Sequence, residues 1–308
     1  MARDTTFDHL KGMNAGVVII VIVAVMGGAL LLFPNLIGGL NFGGGSAPIG
    51  VGPGNAGVVI TSFIGTPPVG DSGEDFNFLL TAENKGSVEA KNIKYEIFGL
   101  KDSNSWSGAS VVSSGETTLN GVDVSRQNPG GKTQHEWSST SKEKNVDITY
   151  PVTARVDYQY FTEAHLLLTL FGRDNENVKN TGVTQSQMSV ISNTAGPISV
   201  TPKGTVPLVG KNTDDFRITF DITNTGGGRP YTGSKGSGID KLKITATGCT
   251  LTQTGDIKLI SGTKTVSCKV KPIIDSFGGK ETQEVVIKLD YNYVVESTTN
   301  VKVIKKPE

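Results

Sequence analysis

The sequence repeats itself. Asp75-Phe-Asn-Phe-Leu-Leu-Thr-Ala-Glu-Asn84-Lys-Gly86 aligns with Asp215-Phe-Arg-Ile-Thr-Phe-Asp-Ile-Thr-Asn224-Thr-Gly226. A second block, Ile93-Lys-Tyr-Glu-Ile97, aligns with Leu242-Lys-Ile-Thr-Ala246. A third, Val152-Thr-Ala-Arg-Val-Asp-Tyr-Gln-Tyr160, aligns with Val285-Val-Ile-Lys-Leu-Asp-Tyr-Asn-Tyr293, and Glu163 and Glu296 continue it in register. Gly65–Gly70 precedes the first block as Gly204–Gly210 precedes its counterpart. Three blocks in one order mark two copies of one supersecondary unit, over residues 57–195 and 196–308. The first copy is the longer, mostly through a Ser/Gly/Asn/Lys-rich stretch at 101–147.

Within the blocks apolar residues recur every second position. Phe76, Phe78 and Leu80 alternate with Asn77, Leu79 and Thr81, and Phe216, Ile218, Phe220 and Ile222 do the same in the second copy. Val156, Tyr158 and Tyr160 share one face while Asp157 and Gln159 take the other. This is the signature of half-buried strands, and no stretch of 57–308 shows helical periodicity. Asn84-Lys-Gly86 and Asn224-Thr-Gly226 close their strands, since Asn and Gly tolerate the left-handed geometry of a tight turn. The expected fold class is mainly β: an N-terminal transmembrane helix followed by two tandem β-sandwich domains of about seven strands each. An apolar strand ending in Asn-x-Gly, followed by an apolar-Lys-apolar strand, resembles the adhesion-related Ig-like modules of bacterial and archaeal surface proteins. That resemblance implies surface display with binding or structural work, and it carries no active-site signature.

The N-terminal region has a different texture. Residues 12–70 contain no charged side chain, and Ala15–Phe33 is almost pure Ala, Val, Ile, Met and Leu. As a helix that run spans roughly 28 Å, close to the hydrocarbon thickness of a bilayer. Arg3 and Lys11 precede it and no Lys or Arg follows closely, which places residues 1–12 in the cytoplasm and 41–308 outside. Residues 13–40 are the expected anchor, in contact with membrane lipid, and 41–56 a Gly/Pro-rich linker or, alternatively, a packing surface between subunits. Lys11-Gly12 directly before the apolar run resembles the cleavage junction of archaeal type IV pilin-like precursors. That likeness implies processing between Gly12 and Met13 and a filament subunit with bundled helices. One anchor plus an outward β-sandwich also resembles the stator subunits of the archaellum.

Chemistry-bearing residues are few. The chain has equal numbers of basic and acidic residues, 29 of each, which excludes the basic footprint of a nucleic-acid binder. His9, His135 and His165 stand in no metal-binding or nucleophile-elbow spacing, so no catalytic residue and no cofactor is expected. Acidic residues recur before the same strand in both copies: Asp71, Glu74 and Asp75, then Asp214 and Asp215. They are calcium candidates by oxygen chemistry, or plain solvated turns. Cys249 and Cys268 fall in the second copy and outside the cell form a disulfide, the alternative being two buried thiols. Trp106 and Trp137 sit in the polar insertion, where a partner-binding surface or a cap on the core are both open readings. The functional expectation is a non-enzymatic, membrane-anchored extracellular structural or adhesion protein that displays its two domains for protein or surface interaction, with protein partners or further copies of itself. No Asn-x-Ser/Thr sequon occurs.

Overall fold

Period-two alternation becomes strand wherever the sequence shows it. The structure is a computed structural model that describes residues 57–306, except 101, 103, 109–111, 115–116, 174, 176–177, 180–181, 183, 211–214 and 272–278. The tail, the apolar segment 13–40, the linker 41–56 and the Gly12–Met13 junction lie outside the described residues. Among the described residues no helix is long and apolar enough to cross a membrane, a statement that does not concern spans made of strands. The chain divides into two compact units, 1–50 and 51–308.

The first copy supplies β1 (Val58–Thr66), β2 (Val69–Asp71), β3 (Asp75–Asn84), β4 (Ala90–Phe98) and β5 (Trp106–Ser107). It continues with β6 (Val112–Ser114), β7 (Thr118–Leu119), β8 (Lys132–Ser141), β9 (Ile148–Gly172), β10 (Ser186–Gln187) and β11 (Val190–Asn193). The second copy supplies β12 (Ile198–Lys203), β13 (Thr205–Val206), β14 (Leu208–Gly210), β15 (Phe216–Asn224), β16 (Arg229–Tyr231) and the one-turn helix α1 (Lys235–Gly238). It ends with β17 (Lys241–Thr247), β18 (Thr250–Leu251), β19 (Gly255–Lys258), β20 (Thr263–Val270) and β21 (Lys280–Ile304).

Pairing repeats as the sequence does. Strands β1-β3-β8-β5 form one four-stranded sheet and β12-β15-β20-β18 its counterpart. Val58 stands opposite Asn84 in the first, and Ile198 opposite Asn224 in the second. Thr66–Pro67 and Val206–Pro207 are both cis peptides. Each small sheet packs its apolar face on one eleven-stranded sheet, and the side chains between them form a continuous buried cluster.

The centre of that large sheet is β9 and β21, each 25 residues long. They run antiparallel, from Phe171 opposite Lys280 to Ile148 opposite Val303, with no break in register. One half of β9 is flanked by β4 of its own copy, and its far end receives β14 of the second copy in parallel. Reciprocally, β21 is flanked by β17 of its own copy and receives β2 of the first at its far end. Hydrogen bonding therefore crosses the expected 195/196 boundary in both directions. Inward residues of β9 stay apolar past the repeated block, with Ala164, Leu166, Leu168 and Leu170 all buried, so the strand continues into the neighbouring half.

The symmetry axis of the repeat passes between Gln159 and Asn292, which face each other. Around it Tyr158 pairs with Tyr293 and Tyr160 with Tyr291, all four inward and buried. Each hydroxyl has a partner. Tyr158 Oη accepts from the Val58 amide at 3.1 Å and Tyr160 donates to the Ala195 carbonyl at 2.9 Å. Tyr291 shares a 2.8 Å hydrogen bond with Thr162, and Tyr293 donates to Asn224 Oδ1 at 2.8 Å. Burial pushes the Tyr160 and Tyr293 hydroxyls up to about 12, so they remain neutral donors. The Asn-x-Gly turns serve this cluster. Neither Gly86 nor Gly226 has a positive φ, which corrects the left-handed expectation; a Cβ at either would overlap Tyr160 Oη or Tyr293 Oη.

Candidate functional site

One outward position of the shared sheet is buried. Outward residues of β9 are otherwise exposed or half-exposed, but Asp157 is only 5% accessible. The cause is a difference between the copies. Along β4, Lys91 faces Gln159 and, after a bulge, Lys94 faces Asp157. In the second copy Tyr231 faces Asn292 and Lys243 faces Asp290. Residues 92–93 of the first copy are thus replaced by 232–242, a longer segment carrying α1.

This segment folds across the axis onto the other copy. Tyr231 Oη donates to Asp157 Oδ1 at 2.6 Å, and Lys235 Nζ contacts Asp157 Oδ2 at 2.5 Å and Glu96 Oε2 at 3.2 Å. Arg155 extends the network to Glu96 at 3.2 Å and Glu296 at 2.6 Å, with its guanidinium over the Phe98 ring. Burial first, then the hydrogen bond to Asp157, pushes the Tyr231 hydroxyl far up. A buried carboxylate is tolerated only when paired, and here it has both a hydroxyl and an ammonium partner. The symmetry-related Asp290 has no such cover; its side chain is 45% exposed. Chemically the network is a fastener: two cations, Arg155 and Lys235, bridge three carboxylates, Glu96, Asp157 and Glu296.

A second ionic group lies on the same face. His165 Nδ1 stands 2.7 Å from Glu284 Oε1, and Nε2 stands 2.9 Å from Glu163 Oε1. Two carboxylates at both ring nitrogens favour the imidazolium, and these hydrogen bonds, Glu284 first, raise the pKa of His165. His135 is different: it stacks on Tyr95 at 5.1 Å and meets the Trp137 edge, and burial lowers its pKa.

The acidic residues do not converge. Glu74 Oε2 accepts from the Asp71 amide at 2.7 Å, Asp75 accepts from the Thr140 hydroxyl at 2.5 Å, and Asp215 pairs with Lys269 at 3.5 Å. Asp214 lies outside the described residues. Among the described residues no group of three or more His, Cys, Asp or Glu is placed to hold a metal ion. Trp106 and Trp137 are 2% and 3% accessible and face the core of the first copy. Trp106 packs edge-on against Phe76 at 5.4 Å and Tyr150 at 5.2 Å, and Trp137 against Phe63 at 6.4 Å. They cap the sandwich, and their side chains offer no surface to a partner. Cys249 and Cys268 form a disulfide joining the start of β18 to β20, with Cα atoms 5.8 Å apart. The Glu96–Arg155–Asp157–Tyr231–Lys235 group carries no motif in the sequence; the extra residues after Tyr231 mark its place once the copies are aligned.

No protein-family model matches the chain, and no curated protein matches it. Among solved structures it is similar to the D0-D1 domain of Intimin, with 14% identity, a TM-score of 0.18, and coverage of 80% of this chain and 99% of that one. It is also similar to collagen adhesin (CNA) from S. aureus, with 10% identity, a TM-score of 0.14, and coverage of 80% and 92%. At TM-scores this low, nothing of what those two proteins bind is transferred to the present chain.

Proposed function

We propose that this protein is a non-enzymatic, membrane-anchored extracellular structural or adhesion protein whose two β copies act as one rigid unit. The observation that carries the reading is the β9–β21 ladder, in which every residue from Lys280 to Val303 has a partner. At about 3.3 Å per residue it is roughly 80 Å of continuous antiparallel pairing. A load applied along it is shared by many hydrogen bonds at once, as a spacer or adhesion module requires. The Cys249–Cys268 disulfide supports an oxidising compartment, and the uncharged run Ala15–Phe33 supports the anchor. Protease treatment of intact cells tests the placement: fragments of 57–308 are released on this reading, and protection until lysis overturns it. N-terminal sequencing of the mature protein tests the anchor. A start at Met1 or Ala2 agrees with it, whereas a start at Met13 replaces it with a processed filament subunit.

A further inference from the structure

Lys235 opens α1 in the second copy, yet its amine is aimed at a carboxyl group of the first. Its Nζ lies 2.5 Å from Asp157 Oδ2, and Glu96 Oε2 lies 3.2 Å from the same Nζ. The Asp157 side chain is 7% exposed, the least of any ion-paired carboxylate among the described residues; the next, Glu83, is 13% exposed. On its other side Tyr231 Oη stands 2.6 Å from Oδ1 and 2.8 Å from Oδ2. The carboxyl group is thus held between a hydroxyl and an amine, and the amine between two carboxylates.

Groups held in this way are set up to condense. Well-oriented intramolecular reactions reach effective molarities of about 10⁵–10⁸ M. A buried ion pair carries a desolvation cost that an uncharged amide in its place does not. The amine attacks only when neutral, and the carboxyl group loses its oxygen only when that oxygen is protonated, so protons must pass from Nζ to Asp157. Glu96 Oε2, within reach of Nζ, is the group that can carry them. Tyr231 donates to the carboxyl oxygen on which negative charge develops as Nζ attacks Cγ. Arg155, 3.2 Å from Glu96, positions that carboxylate.

We propose that Lys235 and Asp157 join in an intramolecular isopeptide bond, formed by the chain itself with Glu96 as the proton carrier. The Nζ–Cγ bond forms and the Cγ–Oδ2 bond breaks. The ammonium gives up two protons, which leave with Oδ2 as one water molecule, and Glu96 is returned unchanged. No oxidant, reductant or cofactor enters the step. The bond forms once in each chain, without turnover, and locks α1 of the second copy to β9 of the first. It goes beyond the structural or adhesion reading above and does not depend on it.

Mass spectrometry of the purified full chain, reduced and denatured, tests this. The chain is expected to be lighter by one water molecule than its sequence read from its own N-terminal residue. Trypsin should release a branched peptide joining residues 156–173 to 218–241, with Lys235 uncleaved. Lys235→Arg, which keeps a cation beside Asp157, and Asp157→Ala should each restore the full mass; if Asp157→Ala does not fold, Lys235→Arg decides alone. Glu96→Gln should lower the joined fraction about tenfold or more in protein purified in the same way. An unchanged fraction in Glu96→Gln overturns the role given to Glu96. A wild-type chain at full mass, with the 156–173 peptide released unbranched, overturns the proposal. A deficit that persists in Lys235→Arg also overturns it, since the water is then lost elsewhere. The readout uses purified protein, so it fails independently of the cell-surface placement.

Discussion

At the residue scale the clearest lesson is that small and polar residues are where the aromatic cluster needs them. Asn84 is fully buried, and its side-chain amide donates to the carbonyls of Val88 at 2.8 Å and Leu119 at 3.0 Å. Asn84→Ala removes the side-chain donor to both carbonyls and is expected to cost about 1–3 kcal/mol, read from the denaturation midpoint. Gly86→Ala and Gly226→Ala force a methyl group onto a tyrosine hydroxyl, at about 1–3 kcal/mol each by the same measurement. The His165 clamp should give the stability a pH dependence. Its pKa is raised in the folded protein, so its stabilisation is fully present below the unfolded value near 6.5. It is lost as pH rises through the raised folded value. Melting temperatures between pH 5 and 9 should show this loss, and Glu163→Gln with Glu284→Gln should flatten it.

At the element scale the two copies differ where it matters. The segment 232–240 is held by Tyr231 and Lys235 on a carboxylate of the other copy, while the symmetric position lacks both the segment and the cover. Asp157→Ala should free this segment: faster amide exchange over 232–240 and a loss of about 1–3 kcal/mol are expected. The disulfide works on a different element, tying β18 to β20 at the edge of the second small sheet. Cys249→Ser with Cys268→Ser, or reduction, should lower stability by about 3 kcal/mol in the chain-entropy account. Calorimetry with and without reductant checks it. Trp106 and Trp137 show the limit of reading an element from its neighbours in sequence. They lie among Ser, Gly and Lys, yet strand alternation in β5 and β8 turns both indoles inward onto Phe76, Phe63 and Tyr150.

At the scale of the whole molecule the shared sheet should make the two copies unfold together. Both tryptophans are in the first copy, so their fluorescence reports on it alone. Phe220→Ala, in the core of the second copy, should cost about 3–5 kcal/mol and shift the fluorescence and circular-dichroism midpoints equally. A fluorescence transition that stays in place would mean that the copies are energetically independent. The sequence by itself determined the main strands, their buried faces and the duplication, because alternation and repetition are local patterns that side-chain burial enforces residue by residue. Only the tertiary structure decided that β9 and β21 are partners across the repeat and that Asp157 is buried. Alternation states which face of a strand turns inward but not which strand lies beside it. That choice is made by hydrogen bonds between residues more than a hundred positions apart, such as Tyr158 and Tyr293.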